Sequence, residues 1–307
     1  MNQELLKDLL KKYNLKPNFT YGQNFLVDET VLEDIANSAN LSPEDVVLEI
    51  GPGIGNLTKL LCERAGFILS VEKDPKFQSI LYKIKKDFPN NFRFEIADAL
   101  EFDYCKAIQE GRGGRVHSGE YHPSPLTVHP YKVVANIPYY ITGKILQMFM
   151  TAKNKPELIT VLTQKEVAER VVAKAGDLSV LAISVQLYGE PKIIRMVPKT
   201  SFYPAPKVDS AILQIDLNKK IKYQVADEKV FFRVVRACFA GKRKQLHNTL
   251  VNNLRLDKTS VNEILGELSI NPTVRPQALS IEQWVALTEK INSKSLNSKQ
   301  STNDLKA

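Results

Sequence analysis

The stretch "LEIGPGIGNLT" constrains this chain more than any other. An apolar run, "VVLEI" (Val46–Ile50), leads into Gly51, Gly53 and Gly55, and the helix-like "NLTKLLCERA" (56–65) comes next. Glycines between a strand and a helix let a ligand approach the backbone at the C-terminal edge of a parallel sheet, where side chains would block it. The dinucleotide fingerprint G-x-G-x-x-G needs a glycine at position 56, and Asn56 stands there. Alone, such a loop is a tight strand–helix turn. Its meaning depends on the segments downstream of it.

Those segments alternate. "FILSVEKD" (67–74) reads as a second strand, "PKFQSILYKIKKDF" (75–88) as a helix with Pro75 in its first turn, "FRFEIADAL" (92–100) as a third strand and "YKVVANI" (131–137) as a fourth. Strands separated by helix-length segments predict βαβ units and a parallel sheet. "ELITVLTQ" (157–164) continues as a fifth strand, "EVAERVVAK" (166–174) reads as a short helix, "SVLAISVQLYG" (179–189) fits helix or strand with helix preferred, and "PKIIRMV" (191–197) and "DSAILQIDL" (209–217) read as strands that could close the sheet. The run 109–130, rich in Gly, Pro, Ser and His, has no apolar periodicity and is expected to be a flexible insertion. It holds His117, His122 and His129; without cysteines or paired spacing these do not predict a metal site.

Charge locates a second region. The net charge is +8, and residues 219–258 carry 11 Lys/Arg against 3 Asp/Glu, so 11 − 3 = +8 and the rest sums to zero. A local excess of this kind suits a polyanion. Segments from about 228 to 292 look helical, and the polar tail 293–307 is expected to be disordered. Three scattered cysteines, no long apolar span and no signal-peptide pattern predict a reduced, cytoplasmic protein.

Successive strand ends then carry chemistry. Glu72 can accept from both hydroxyls of a ribose and Asp98 from an adenine amino group, while either acid taken alone reads equally as a helix cap or a surface residue. The fourth strand ends in Asn136-Ile137-Pro138-Tyr139-Tyr140. The lone pair of an exocyclic amine is delocalised into its ring. The Asn136 oxygen and a turn carbonyl such as that of Ile137 can grip its two N–H groups and aim the nitrogen. Pro138 stiffens the turn, and Tyr139 or Tyr140 can stack on a base. The competing reading is a proline-terminated strand with Asn136 capping the next helix.

These motifs resemble those of the ribosomal RNA adenine N6,N6-dimethyltransferase family, KsgA type. The resemblance runs from about 17 to 292 through "YGQNFLVDETVLEDIA", "LEIGPGIGNLT", "VEKD", "ADAL", "NIPYYIT", "TQKEVAERV", "FYPAPKVDSAIL" and "CFAGKRKQLHNTL". It implies an α/β fold: a Rossmann-like S-adenosylmethionine (AdoMet) methyltransferase sheet with helices on both faces, plus a smaller C-terminal helical domain. The expected domains are 1–218 for catalysis, 219–292 as a basic RNA-binding domain and 293–307 as the tail. The implied catalytic residues are Asn136, Pro138 and Tyr139. Asn24, Leu26, Gly51, Gly53, Glu72, Asp98 and Asn136 would hold AdoMet, with no metal. Arg233, Arg236, Lys242, Arg243 and Lys244 would meet RNA phosphates.

The implied reaction dimethylates N6 of two adjacent adenosines in a hairpin near the 3′ end of small-subunit rRNA. The implied partner is that rRNA in a pre-30S particle, met by a monomer without a membrane. Alternatives are a large-subunit rRNA adenine dimethyltransferase, a protein glutamine methyltransferase and a non-catalytic rRNA-binding assembly factor. Three features depart from the family pattern: "NLKPNFTY" before "GQNFL" has fewer basic residues than the family usually shows, 109–130 is an insertion, and Tyr140 stands where many bacterial members have a small polar residue. "FYPAPKV" (202–208) reads equally as a pocket wall or as a connector.

Overall fold

The computed structural model describes residues 3–18, 22–112, 130–218, 223–241 and 243–304. Contacts divide the chain into two units, Met1–Glu169 with Gly189–Lys219, and Arg170–Tyr188 with Lys220–Ala307.

The first unit is built on a seven-stranded sheet. Its strands are β2 (Val46–Ile50), β3 (Phe67–Glu72), β4 (Phe92–Ile96), β5 (Lys132–Asn136), β6 (Leu158–Gln164), β7 (Glu190–Val197) and β9 (Ser210–Asp216), in the order β4-β3-β2-β5-β6-β9-β7. The pairs from β4 to β6 are parallel, while β9 runs antiparallel to both its neighbours. β2 and β3 are buried along their whole length, as continuous apolar runs in a parallel sheet require. A separate two-residue pairing joins β1 (Phe25–Leu26) to β8 (Phe202–Tyr203). The segment 202–208, open to reading as wall or connector, thus begins by pinning the N-terminal stretch.

Helices cover both faces. α1 (Gln3–Lys12), α2 (Glu29–Ser38), α3 (Asn56–Arg64) and α4 (Gln78–Asp87) send Leu6, Ile35, Leu61 and Leu81 into a core with Val47, Ile68 and Val134 of the sheet. α5 (Tyr104–Arg112) and α6 (Thr142–Thr151) meet through the Tyr104 and Phe149 rings, 5.5 Å apart. α5 corrects the expectation that everything from 109 is irregular. Tyr104, Ala107 and Ile108, at i, i+3 and i+4, form a buried helical face whose last turn reaches into the glycine-rich run. Residues 113–129, with all three histidines of that run, lie outside the described residues.

The chain moves outward from β2 to β3 and β4, then returns to the other side of β2 as β5. That reversal opens a crevice beyond the carboxyl ends of β2 and β5, the place where doubly wound sheets bind ligands. Among the described residues no helix is long and apolar enough to cross a membrane.

The second unit is helical. α7 (Lys165–Val171) leads into it; α8 (Val180–Gln186), α9 (Glu228–Phe239), α10 (Leu246–Leu254), α11 (Lys258–Glu267) and α12 (Ile281–Asp304) complete it. Asp227 starts α9 by accepting from the Val230 N–H at 2.9 Å. Phe231, Val234, Val235 and Cys238 form its buried face, and the Phe239 ring lies 5.8 Å from Trp284.

The expected boundary at 218 therefore needs correction, because 170–188 joins this unit from mid-chain. The Tyr188 ring sits 6.4 Å from Phe232, and Gly176 and Gln277 exchange backbone and side-chain hydrogen bonds at 3.0 Å. The tail also differs from expectation, since α12 continues to Asp304. Its polar residues include no proline or glycine after 281, and extending a formed helix is cheaper than starting one.

Candidate active site

Strand register sets the site. Ile50 pairs with Val71 and with Ala135, and Glu72 pairs with Ile96, so the glycine loop, Glu72, Asp98 and Asn136 emerge side by side. Gly51, Gly53 and Gly55 have φ of +69°, +55° and +77°. Gly55 also has no room for a side chain, since a Cβ there would stand 2.1 Å from Ile84 Cδ1. Gly51 brings its loop against the fourth strand end. A Cβ at that position would lie 3.9 Å from the Asn136 carbonyl oxygen and from Pro138 Cδ.

Glu72 is held by backbone alone. Its Oε2 accepts from the Gly53 N–H at 3.0 Å and its Oε1 from the Asp74 N–H at 2.8 Å. Burial raises the pKa of this carboxyl, and those two N–H groups oppose the shift. Beneath it, Glu49 is 1% exposed and accepts from Thr58 Oγ1 at 2.8 Å and Ser70 Oγ at 2.5 Å. Burial pushes the Glu49 carboxyl up to about 7. Asp98 is more open. Its Oδ1 takes the Leu100 N–H at 3.0 Å, and its Oδ2 takes Lys73 Nζ at 2.7 Å, which holds its pKa below the usual range.

The N-terminal segment closes one side. Gln23 Nε2 donates to Asp74 Oδ2 at 3.2 Å, and Asn56 Nδ2 donates to the Leu26 carbonyl at 3.3 Å. Asn56, the residue that breaks the dinucleotide fingerprint, thus ties β1 to the glycine loop. Asn24 turns its Nδ2 back to the Gly22 carbonyl at 3.2 Å, leaving its oxygen as an acceptor.

On the opposite side the side-chain amide of Asn136 makes no hydrogen bond to another described residue. Pro138 accepts from the Ile141 N–H at 3.1 Å, closing a single turn of 3₁₀ helix over Tyr139–Ile141. The Tyr139 hydroxyl meets Ser210 Oγ at 2.6 Å, and burial raises its pKa.

One open cleft brings these groups together. Asn24, Leu26, Gly51, Gly53, Glu72 and Asp98 line it. So do Asn136, Pro138 and Tyr139. The sequence does not single out Gln23 and Lys73 on its walls or Ser210 behind it, and it marks Asn56 only as the break in the dinucleotide fingerprint. No local pattern marks their roles, because each acts through a partner distant in sequence.

The basic residues lie in the second unit. Arg233 and Arg236 occupy the exposed face of α9, opposite the Phe231 side, and Arg243 and Lys244 are exposed in the turn before α10. Lys242 lies outside the described residues.

Comparison with known proteins adds a separate line. Residues 14–293 match the family described as ribosomal RNA adenine dimethylase. The chain is 38% identical over 281 residues to the ribosomal RNA small subunit methyltransferase A of Dehalococcoides mccartyi, covering 92% of this chain and 90% of that one. It is 39% identical over 285 residues to the protein of the same name from Clostridium botulinum, covering 92% and 97%. Among solved structures, the 23S rRNA methyltransferase ErmE is similar at 28% identity and a TM-score of 0.65, over 88% of this chain and all of that one. A dimethyladenosine transferase from Plasmodium falciparum shares the fold at 24% identity and a TM-score of 0.70, over 88% and 98%.

Proposed function

The chain belongs to the ribosomal RNA adenine dimethylase family, and from that premise we propose that it transfers methyl groups from AdoMet to the N6 amino groups of two adjacent adenosines in a hairpin near the 3′ end of small-subunit rRNA. The observation that carries this reading is the single cleft where the glycine loop, Glu72, Asp98 and the Asn136–Tyr139 turn meet at adjacent strand ends.

The donor side of the cleft fits AdoMet. Gly51 and Gly53 leave the backbone open to close approach. Glu72 has a lone pair left on each oxygen for vicinal ribose hydroxyls, and its two backbone bonds fix its direction. Asp98 accepts from the adenine amino group, with Lys73 keeping it ionised. Asn24 and Leu26 bound the same space. AdoMet, when bound, supplies a methyl group activated by a positive sulfur.

The acceptor side then has one task, to orient an amine. The Asn136 oxygen and the Ile137 carbonyl accept the two N–H groups of the target base; the Pro138 carbonyl is already engaged by Ile141. Holding both hydrogens points the lone pair at the methyl and stabilises the positive charge that develops on nitrogen. The proton leaves after transfer, so no base is needed before attack. Tyr139, anchored through Ser210, stacks on the flipped base. Arg233, Arg236, Lys242, Arg243 and Lys244 neutralise phosphates of the hairpin. In this reading the chain works as a monomer on a pre-30S particle in the cytoplasm.

Small-subunit rather than large-subunit RNA is favoured by the relatives at 38% and 39% identity, against 28% for the 23S enzyme. The test is incubation with labelled AdoMet and undermethylated 30S or 50S subunits, then mapping of modified nucleotides. Label on two adjacent adenosines of 30S RNA is expected. Label confined to 50S RNA, or to protein, would refute the reading.

A further inference from the structure

The turn that ends β5 carries two neighbouring tyrosines in opposite surroundings. Tyr139 is partly buried and its hydroxyl is fixed to Ser210. Tyr140 is 58% exposed, among the most exposed large apolar side chains of the described residues. It lines the same cleft. One edge of its ring is seated. A Cβ on Gly22 would lie 3.5 Å from Tyr140 Cδ1, 3.6 Å from Cε1 and 3.7 Å from Pro138 Cβ. The ring is therefore positioned by backbone on one side and open on the other.

An open, seated aromatic at the edge of this cleft has a specific use. A base that leaves an RNA loop for a pocket gives up stacking with its neighbours. A flat apolar ring at the mouth can replace that stacking for the neighbour left outside. We propose that Tyr140 is a binding platform for the nucleotide next to the target adenosine. It thereby helps select which base enters. This role rests on the reading of the cleft as an RNA adenine site. The ring does the work and the hydroxyl does not, so phenylalanine can replace it while leucine cannot.

The test uses the full chain and RNA hairpins in which 2-aminopurine stands immediately 5′ or 3′ of the target adenosine. Binding to wild type and to Tyr140→Phe is expected to quench one of the two probes. Tyr140→Leu is expected to abolish that quench and to raise KM for RNA by roughly 5- to 100-fold. Its kcat should stay within about twofold, and its affinity for AdoMet should not change. An unchanged quench and KM in Tyr140→Leu overturns the proposal. A loss of AdoMet affinity in step with the rise in KM also overturns it, because Tyr140 would then only brace Gly22 against the donor side. Normal methylation by wild type with a silent Tyr140→Leu sinks only this role. A wild type that methylates no RNA removes the underlying activity, and this role with it.

Discussion

Two strand ends in the same cleft are finished differently. At the end of β3, Glu72 is 7% exposed and both its oxygens are held by backbone N–H groups. At the end of β5, Asn136 is partly exposed and its amide has no described partner. The first end is a completed hydrogen-bond network that orients an acceptor before any ligand arrives. The second is a rigid turn that leaves its polar groups open. The contrast teaches that one half of the cleft is pre-organised by main chain, while the other keeps polar groups without a partner among the described residues.

Substitutions should separate the two halves. Asn136→Ala is expected to slow single-turnover methyl transfer by about 10²- to 10³-fold at saturating AdoMet, with AdoMet affinity changed far less than the rate. Glu72→Gln should do the reverse. Its new NH₂ must face either the Gly53 or the Asp74 N–H, leaving a buried donor unsatisfied at about 1–3 kcal/mol. AdoMet binding, measured by calorimetry, should weaken by roughly 5- to 150-fold, and saturating donor should restore much of the rate. If both variants damaged binding and rate alike, the division between the halves would be false.

Glu49 sharpens the comparison from below. Burial lifts its carboxyl to about 7, above its unfolded value of 4.5. The folded chain therefore keeps a proton that the unfolded chain releases between those values. Its contribution to stability is complete below about pH 4.5 and is lost as pH rises through about 7. The loss is up to about 3 kcal/mol. Glu49→Gln removes this slope, since an amide can still bond the hydroxyls of Thr58 and Ser70. Melting temperatures of the two proteins between pH 4.5 and 8 should diverge, with only wild type declining for this reason. Parallel curves would show that Glu49 titrates normally.

The smallest effect is expected at Ser210. Ser210→Ala frees the Tyr139 hydroxyl and should lower kcat/KM for RNA by about 5- to 10-fold, with AdoMet affinity unchanged. Adding Tyr139→Phe removes the stranded hydroxyl and should recover most of that loss. Additive losses in this cycle would mean that the pair does not position the ring.

Much of this was legible in the sequence because the signals are local. An apolar run, three glycines and an acid about twenty residues later identify adjacent strand ends, and the parallel sheet brings them together. The exposed face of α9 was legible for the same reason, since Arg233 and Arg236 alternate with the apolar residues at helical spacing. The Tyr104–Arg112 helix was obscured by the glycines that come after it. Membership of 170–188 in the second unit had no local sign, because an apolar helix does not name its partner.

The sequence by itself determined the succession of strands and helices along the chain, the residue types at each strand end and the charge of the helical unit. These depend on periodicity, backbone freedom and side-chain type, which act over a few residues. Only the tertiary structure decided that Glu72 is held by Gly53 and Asp74, that Ser210 anchors Tyr139 across 71 positions, and that Gly22 seats Tyr140. Such contacts depend on register and on the packing of distant segments. No short window of sequence specifies either.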